Sequence, residues 1–240
     1  MNKIGSILDF DSIDSTSKYL KENYIALKDF TFVSSLYQTN GKGRMDRSWE
    51  SYKGENLLFS LLIKKKTLLK LYSSISILSA TVILSVLKEY NIDNVMIKWP
   101  NDVYIDDKKV CGILLESIST SENLECIVLG IGLNVNQKVF IDSRATSMSL
   151  KLKKDINQKE LKGKIYNRLM EELERLEEGK SNYLSTIRLN NYLKNKEVYA
   201  IIDNEKVLSK VIDINDDNSI KVESNNKIYN LLSDEITFHA

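Results

Sequence analysis

Three stretches of the chain concentrate side chains that handle anions. From Gln38 to Trp49 it reads Gln-Thr-Asn-Gly-Lys-Gly-Arg-Met-Asp-Arg-Ser-Trp, which sets Gly41 and Gly43 among Lys42, Arg44 and Arg47. Glycines let a backbone come close to a ligand and the cations neutralise phosphate, so the physics is that of an anion-gripping loop. Taken alone, a solvated charge-rich loop is the plainer account. No Gly-Lys-Ser/Thr closes it before a helix, so it is not a Walker A loop. Lys98-Trp99-Pro100-Asn101-Asp102 holds the chain's one proline, which drives Trp99 extended and fixes a corner between strands. A structural turn would suffice there. Across the following hairpin, however, Lys109-Val110-Cys111-Gly112 brings a second lysine, and two lysines converging on a carboxylate suit an anionic substrate. Gly130-Ile131-Gly132-Leu133-Asn134-Val135-Asn136 follows a strand but lacks the third glycine of a dinucleotide fingerprint. Glycines that pack a strand against a helix account for it. The single histidine, His239, stands one residue from the C-terminus, which disfavours a Ser-His or Cys-His triad and a histidine metal site. Catalysis should then work by charge stabilisation and orientation.

The elements that must position these residues can be read from period and punctuation. Asp14 or Ser15 caps a short helix over Ser17 to Glu22. Phe30 to Leu36 and Leu57 to Ile63 read as strands, with a long loop from Gln38 to Glu55 between them. Thr67 to Tyr90 is apolar enough for one long helix with most faces covered. Val95 to Lys98, Val103 to Ile105 and Val110 to Glu116 are short strands, the last two joined by a tight Asp106-Asp107-Lys108 hairpin, and Glu125 to Leu133 is another buried strand. Leu161, Ile165, Leu169, Leu173 and Leu176 step by three or four and mark an amphipathic helix from Gln158 that Gly179 ends; a second helix runs to Leu193. After Asn195 the pattern becomes four short β runs parted by Asp/Asn turns. The expectation is an α+β catalytic domain over residues 1–194, with a mixed or antiparallel sheet and flanking helices, and a small β domain over 195–240.

Composition narrows the partners. With 34 Lys+Arg against 33 Asp+Glu, the net charge of +1 gives no global field toward nucleic acid or an anionic membrane, so any anion site must be local. Cys111 and Cys126 lie in apolar strand-like runs, which reads as buried reduced thiols in a reducing compartment. The first fifteen residues have too short an apolar stretch and too many acids for a signal peptide, and Ile75 to Leu87 falls short of the roughly 20 apolar residues of a membrane span. A cytoplasmic protein is expected.

Asp14-Ser15-Thr16-Ser17, the Gly41-Lys42-Gly43-Arg44 loop with Arg47 and Trp49, the Lys98 to Asp102 block, Lys109-Val110-Cys111-Gly112-Ile113-Leu114-Leu115-Glu116 and Gly130 to Asn136, in this order, resemble biotin protein ligases. The likeness runs from about Asp14 to Asn136, and the β tail resembles the family's SH3-like C-terminal domain in pattern. It implies a class II synthetase-like fold and an ATP- and magnesium-dependent enzyme that makes biotinyl-5′-adenylate and then biotinylates a lysine of a biotin carboxyl carrier protein. It further implies that Ser15, Thr16 and Gln38 hydrogen-bond the biotin head, that Lys42, Gly43 and Arg44 close over biotin and its adenylate, and that Lys109 holds the reacting carboxyl. Asp102 is assigned to orienting or deprotonating the incoming amine, making Lys109, Arg44 and Asp102 the catalytic set. Ser17, Gly41, Trp49, Lys98, Asn101, Gly112 and Asn134 complete the implied binding set, although Trp49 and Trp99 suit packing better than direct readout. No fixed protein metal site is expected, because magnesium would arrive with ATP.

Two departures stand out. Lys42 replaces the loop's usual first arginine and loses its bidentate fork, and Ser17 replaces a frequent asparagine. The 13 residues before Asp14 are too few for the winged helix-turn-helix of some relatives, so no nucleic-acid partner is expected, and the chain should be a monomer or homodimer. A lipoate or octanoate ligase and a non-catalytic biotin or adenylate sensor are the alternatives. The first usually carries a histidine near its loop, and the second would need fewer of Lys109, Arg44 and Asp102.

Overall fold

A computed structural model describes residues 5–45, 47–121, 123–232 and 236–237. His239 and Asp46 lie outside the described residues. The elements run β1 (Ile7–Phe10), α1 (Thr16–Asn23), β2 (Phe32–Ser35), β3 (Asn56–Ile63), α2 (Lys66–Leu69), α3 (Tyr72–Glu89), β4 (Val95–Lys98), β5 (Asp102–Ile105), β6 (Lys108–Ser119) and β7 (Leu124–Asn134). They continue with α4 (Met148–Leu152), α5 (Gln158–Glu177), α6 (Tyr183–Leu189), β8 (Glu197–Ile202), β9 (Glu205–Ile214), β10 (Ile220–Ser224), β11 (Lys227–Leu231) and β12 (Ile236–Thr237).

The first sheet is mixed, in the order β1-β2-β3-β7-β6-β5-β4, and only the β1–β2 pair is parallel. β3 is buried at every position because both faces are covered. Side chains alternate across a strand. Accordingly Leu57, Phe59, Leu61 and Ile63 join the large core, while Leu62 joins Leu20, Val33, Cys126 and Val128 in a smaller cluster beside α1. Both cysteines are buried and unpaired, and burial pushes their thiols up.

The single helix expected over Thr67 to Tyr90 is broken into α2 and α3 at residues 70–71. Among the described helices α3 is the one long and apolar enough to cross a membrane, yet two thirds of it is buried, and it packs against the sheet, α5 and α6. Three two-residue hairpin turns, Asp106–Asp107, Asp203–Asn204 and Asn225–Asn226, hold both residues at positive φ between 46° and 66°. That is the type I′ geometry Asp and Asn tolerate, which explains their place in these turns. Strands β8–β12 form their own antiparallel sheet, ordered β11-β10-β9-β8-β12. Its inner residues Val198, Ala200, Val211, Ile220 and Val222 are continuous with the main core.

Candidate active site

The α1 face of the first sheet carries a polar cluster at one end and a cationic cluster at the other. At the polar end Ser15 caps α1, accepting from the Lys18 N–H at 3.4 Å. Helix entry there aims Thr16 and Ser17 at the sheet, and both are buried. Gln38 Oε1 accepts from the Thr16 N–H (2.7 Å) and Thr16 Oγ1 (3.0 Å). Ser60 Oγ lies 2.7 Å from Thr16 Oγ1 and 2.9 Å from Ser17 Oγ. Ser60 went unnoticed in the sequence; the available signal is a lone hydroxyl inside the otherwise apolar run Leu57 to Ile63.

The floor is glycine. Gly112 of β6 pairs with Gly132 of β7, and the Trp49 ring lies across both. A Cβ on Gly112 would stand 2.7 Å from that ring, and one on Gly132 2.5 Å from it. Two residues along β7, ~7 Å away, Gly130 lies under α1, where a Cβ would meet Ser17 Oγ at 2.7 Å. Gly130 therefore does pack a strand against a helix, whereas Gly132 makes room for an indole. Trp49 Nε1 and Asn134 Oδ1 are buried with no hydrogen-bond partner among the described residues. Buried polar atoms are seldom left so, and a ligand with hydrogen-bonding groups over this floor would satisfy them. Asn134 Nδ2 is committed to Thr146 O (3.0 Å).

At the cationic end, Lys109 Nζ lies 2.8 Å from Asp102 Oδ1. Asp102 Oδ1 has no other partner among the described residues. Lys109 also lies 5.6 Å from the Trp49 ring centroid. Burial pulls the Lys98 ammonium below its ordinary value, and Lys109, Arg144 and Lys196 add repulsion that Asp102 partly offsets. Lys98 lies over Tyr104 (5.5 Å), which stacks on Tyr192 with ring centroids 4.8 Å apart. Arg44 reaches Asn101 Oδ1 at 3.1 Å, and Asn101 Nδ2 donates to Ile113 O at 2.7 Å. This places the Gln38–Trp49 loop directly over the Lys98–Asp102 corner. The Trp99–Pro100 peptide is cis.

Of the residues singled out from sequence, the structure brings Arg44, Trp49, Asn101, Asp102, Lys109 and Gly112 to one end and Ser15, Thr16, Ser17 and Gln38 to the other. Gly41 is buried, its N-terminal neighbours tied to α1's entry by Thr39 N–H to Ile13 O and Asn40 N–H to Asp14 O. Lys42 and Arg47 are exposed, and Gly43 N–H donates to Arg47 O (2.7 Å), so the loop turns back on itself. Glu116, last of its motif, forms an ion pair with Lys21 at 2.6 Å.

A sequence model of the Biotin/lipoate A/B protein ligase family matches residues 10–134, and the chain belongs to this family. The Bifunctional ligase/repressor BirA of Escherichia coli is 28% identical over 98% of this chain and 75% of its own length. Its namesake in Bacillus subtilis is 35% identical over 45% of this chain and 33% of its own. Among solved structures, the biotin protein ligase from Aquifex aeolicus in complex with biotin and ATP superposes with a TM-score of 0.84 at 29% identity, covering 97% of each chain.

Proposed function

We propose that the chain is an ATP-dependent biotin protein ligase. The observation that carries this is the arrangement on one sheet face, with hydroxyls and an amide at one end, glycines under the Trp49 ring between, and Lys109, Asp102, Lys98 and Arg44 at the other. Biotin's ureido ring is a polar head that Thr16, Ser17, Ser60 and Gln38 can hydrogen-bond, and its apolar valeryl chain can run alongside the Trp49 indole that covers Gly112 and Gly132. Its carboxylate then points toward the cations. The carboxylate oxygen attacks the α-phosphorus of ATP and pyrophosphate leaves. Arg44 and Lys109 offset the repulsion between the two anions. A lysine amine of a carrier domain then attacks the carbonyl carbon of biotinyl-5′-AMP, AMP leaves, and the amine proton goes to Asp102.

Magnesium would arrive with the nucleotide and supply charge to its phosphates. Among the described residues no three His, Cys, Asp or Glu cluster. The Ser, Thr, Gln, Gly, Lys, Arg, Trp and Asn residues of the implied set bind biotin and adenylate in this reading, with Lys42 reaching in from its exposed position only when ligand is bound. We assign residues 1–194 to the catalytic domain and 195–240 to an SH3-like one. The buried, unpaired thiols fit a cytoplasmic location, with a biotin carboxyl carrier domain as partner.

A lipoate-directed activity is the rival within the family. The dithiolane ring offers no strong hydrogen-bonding groups, so it would forgo the bonds that these hydroxyls and this amide can make to a ureido ring, which favours biotin. The test is incubation with ATP, magnesium, labelled biotin and a carrier domain, comparing wild type, Lys109→Ala and lipoate competition. Label on the carrier, lost in Lys109→Ala and indifferent to lipoate, is the expected result. Adenylate without transfer would point to a sensor, and no biotin turnover would overturn the proposal.

A further inference from the structure

The corner that carries Asn101 and Asp102 is braced from behind by the second sheet. Residues 215–219 connect β9 to β10 in a turn closed on itself, with Asn215 N–H donating to Ser219 O (2.9 Å) and Asn218 N–H to Asn215 O (3.1 Å). Ser219 Oγ donates to Asp217 Oδ1 at 2.6 Å. Asn218 sits at φ 72°, a conformation asparagine tolerates better than most residues, and it is 8% exposed. Its backbone carbonyl accepts from the Trp99 Nε1–H at 3.0 Å. Its side-chain oxygen accepts from the Tyr183 hydroxyl at 3.0 Å, and its Nδ2 donates to Ser73 Oγ and Ser74 Oγ at 3.2 Å each. Two residues beyond Ser74 on α3, Ser76 Oγ donates to Pro100 O (3.4 Å).

A buried amide with its donors and acceptor all committed is costly to disturb, so the turn, the head of α3 and Trp99 hold together as one body. The front of the same corner presents Asn101 to Arg44 and Asp102 to Lys109. We propose that Asn218 is a positioning residue, which sets the Trp99–Asp102 corner and through it the placement of Arg44 and Lys109 on the reacting carboxylate. The inference rests on the ligase reading above. It gives the second sheet a part in the first chemical step without any contact between Asn218 and the substrates.

Asn218→Gly keeps the left-handed backbone and the carbonyl that takes the Trp99 proton, and deletes only the amide. Ser219→Ala is its control, because Ser219 bonds only within the turn. The measurements are the kcat for biotinyl-adenylate formation per titrated active site, the KM for biotin, and Tm. A misplacement of about 1 Å can cost about a hundredfold in rate; with Ser76 still holding Pro100, Asn218→Gly is expected to lose about tenfold in kcat with the KM for biotin within about twofold. Ser219→Ala should lower Tm and leave kcat unchanged. If Asn218→Gly does not fold, Trp99→Phe, which removes the indole N–H, carries the same expectation. A kcat within twofold of wild type in Asn218→Gly, or an equal loss in Ser219→Ala, overturns the inference alone. Wild-type protein that forms no adenylate overturns the ligase reading and this inference with it.

Discussion

Asparagine at position 102 keeps the side chain's shape and removes its charge. At 2.8 Å and an effective dielectric of about 20, Asp102 attracts the Lys109 ammonium by about 6 kcal/mol. The side chains are 20% and 33% exposed, so water and screening reduce the net value to about 1–2 kcal/mol. Losing that alone corresponds to about 5- to 30-fold in rate. If Asp102 serves only to hold Lys109, adenylate formation and transfer from preformed adenylate should both fall by this factor. If it also takes the amine proton, transfer should fall by a further 10²–10⁴ or so, because a lysine of pKa about 10.4 is protonated near neutrality. The assay is single-turnover formation of labelled adenylate by Asp102→Asn, beside transfer of separately prepared adenylate to a carrier domain. We expect about a tenfold loss in the first step and at least about a thousandfold in the second, the second deficit shrinking as pH rises and the amine deprotonates unaided. Transfer at the wild-type rate would refute the reasoning, and equal losses in the two steps would reduce Asp102 to a partner of Lys109.

Three further outcomes are expected. Gly132→Ala places a Cβ 2.5 Å from the Trp49 ring where 3.4 Å is ordinary contact, so the indole must shift by ~0.9 Å; it should cost about 1–3 kcal/mol in wild type and almost nothing in a Trp49→Ala background, as denaturant titration would show. Asp9 is raised by partial burial but lowered more by its bonds from Lys162 and Ser34, leaving its folded pKa below the ordinary value. Its stabilising contribution is therefore present above the unfolded pKa and lost as pH falls through the folded one; Lys162→Met should flatten the loss of Tm below about pH 4, and an unchanged acid profile would contradict this. Cleavage within Lys42 to Arg47 by limited proteolysis should slow when biotin and ATP are both present, and equal rates with and without them would count against loop closure.

Much of this protein is written locally. Leu161 to Leu176 stepping by three and four could only be an amphipathic helix, and observed α5 ends two residues before the Gly179 that marks its stop. The Asp and Asn pairs at 106–107, 203–204 and 225–226 specify type I′ turns because few other residues accept positive φ twice running. The glycine loop, the Lys98–Asp102 block and Lys109 announced anion chemistry through residue type alone. Other features have no local signature. β1 was missed because four residues with alternating burial earn strand structure only from their parallel partner β2. The break between α2 and α3 is likewise set by packing, since its residues are ordinary helix formers. Ser60, Asn134 and Asn218 acquire their roles from partners 35 to 145 residues away or from a glycine floor assembled by two strands. Spacing along the chain determined which chemical groups were available; only the crossing of β6, β7, α1 and the 215–219 turn decided which of them share a site, because hydrogen bonds and ion pairs act over about 3 Å and sequence separation says nothing about that distance.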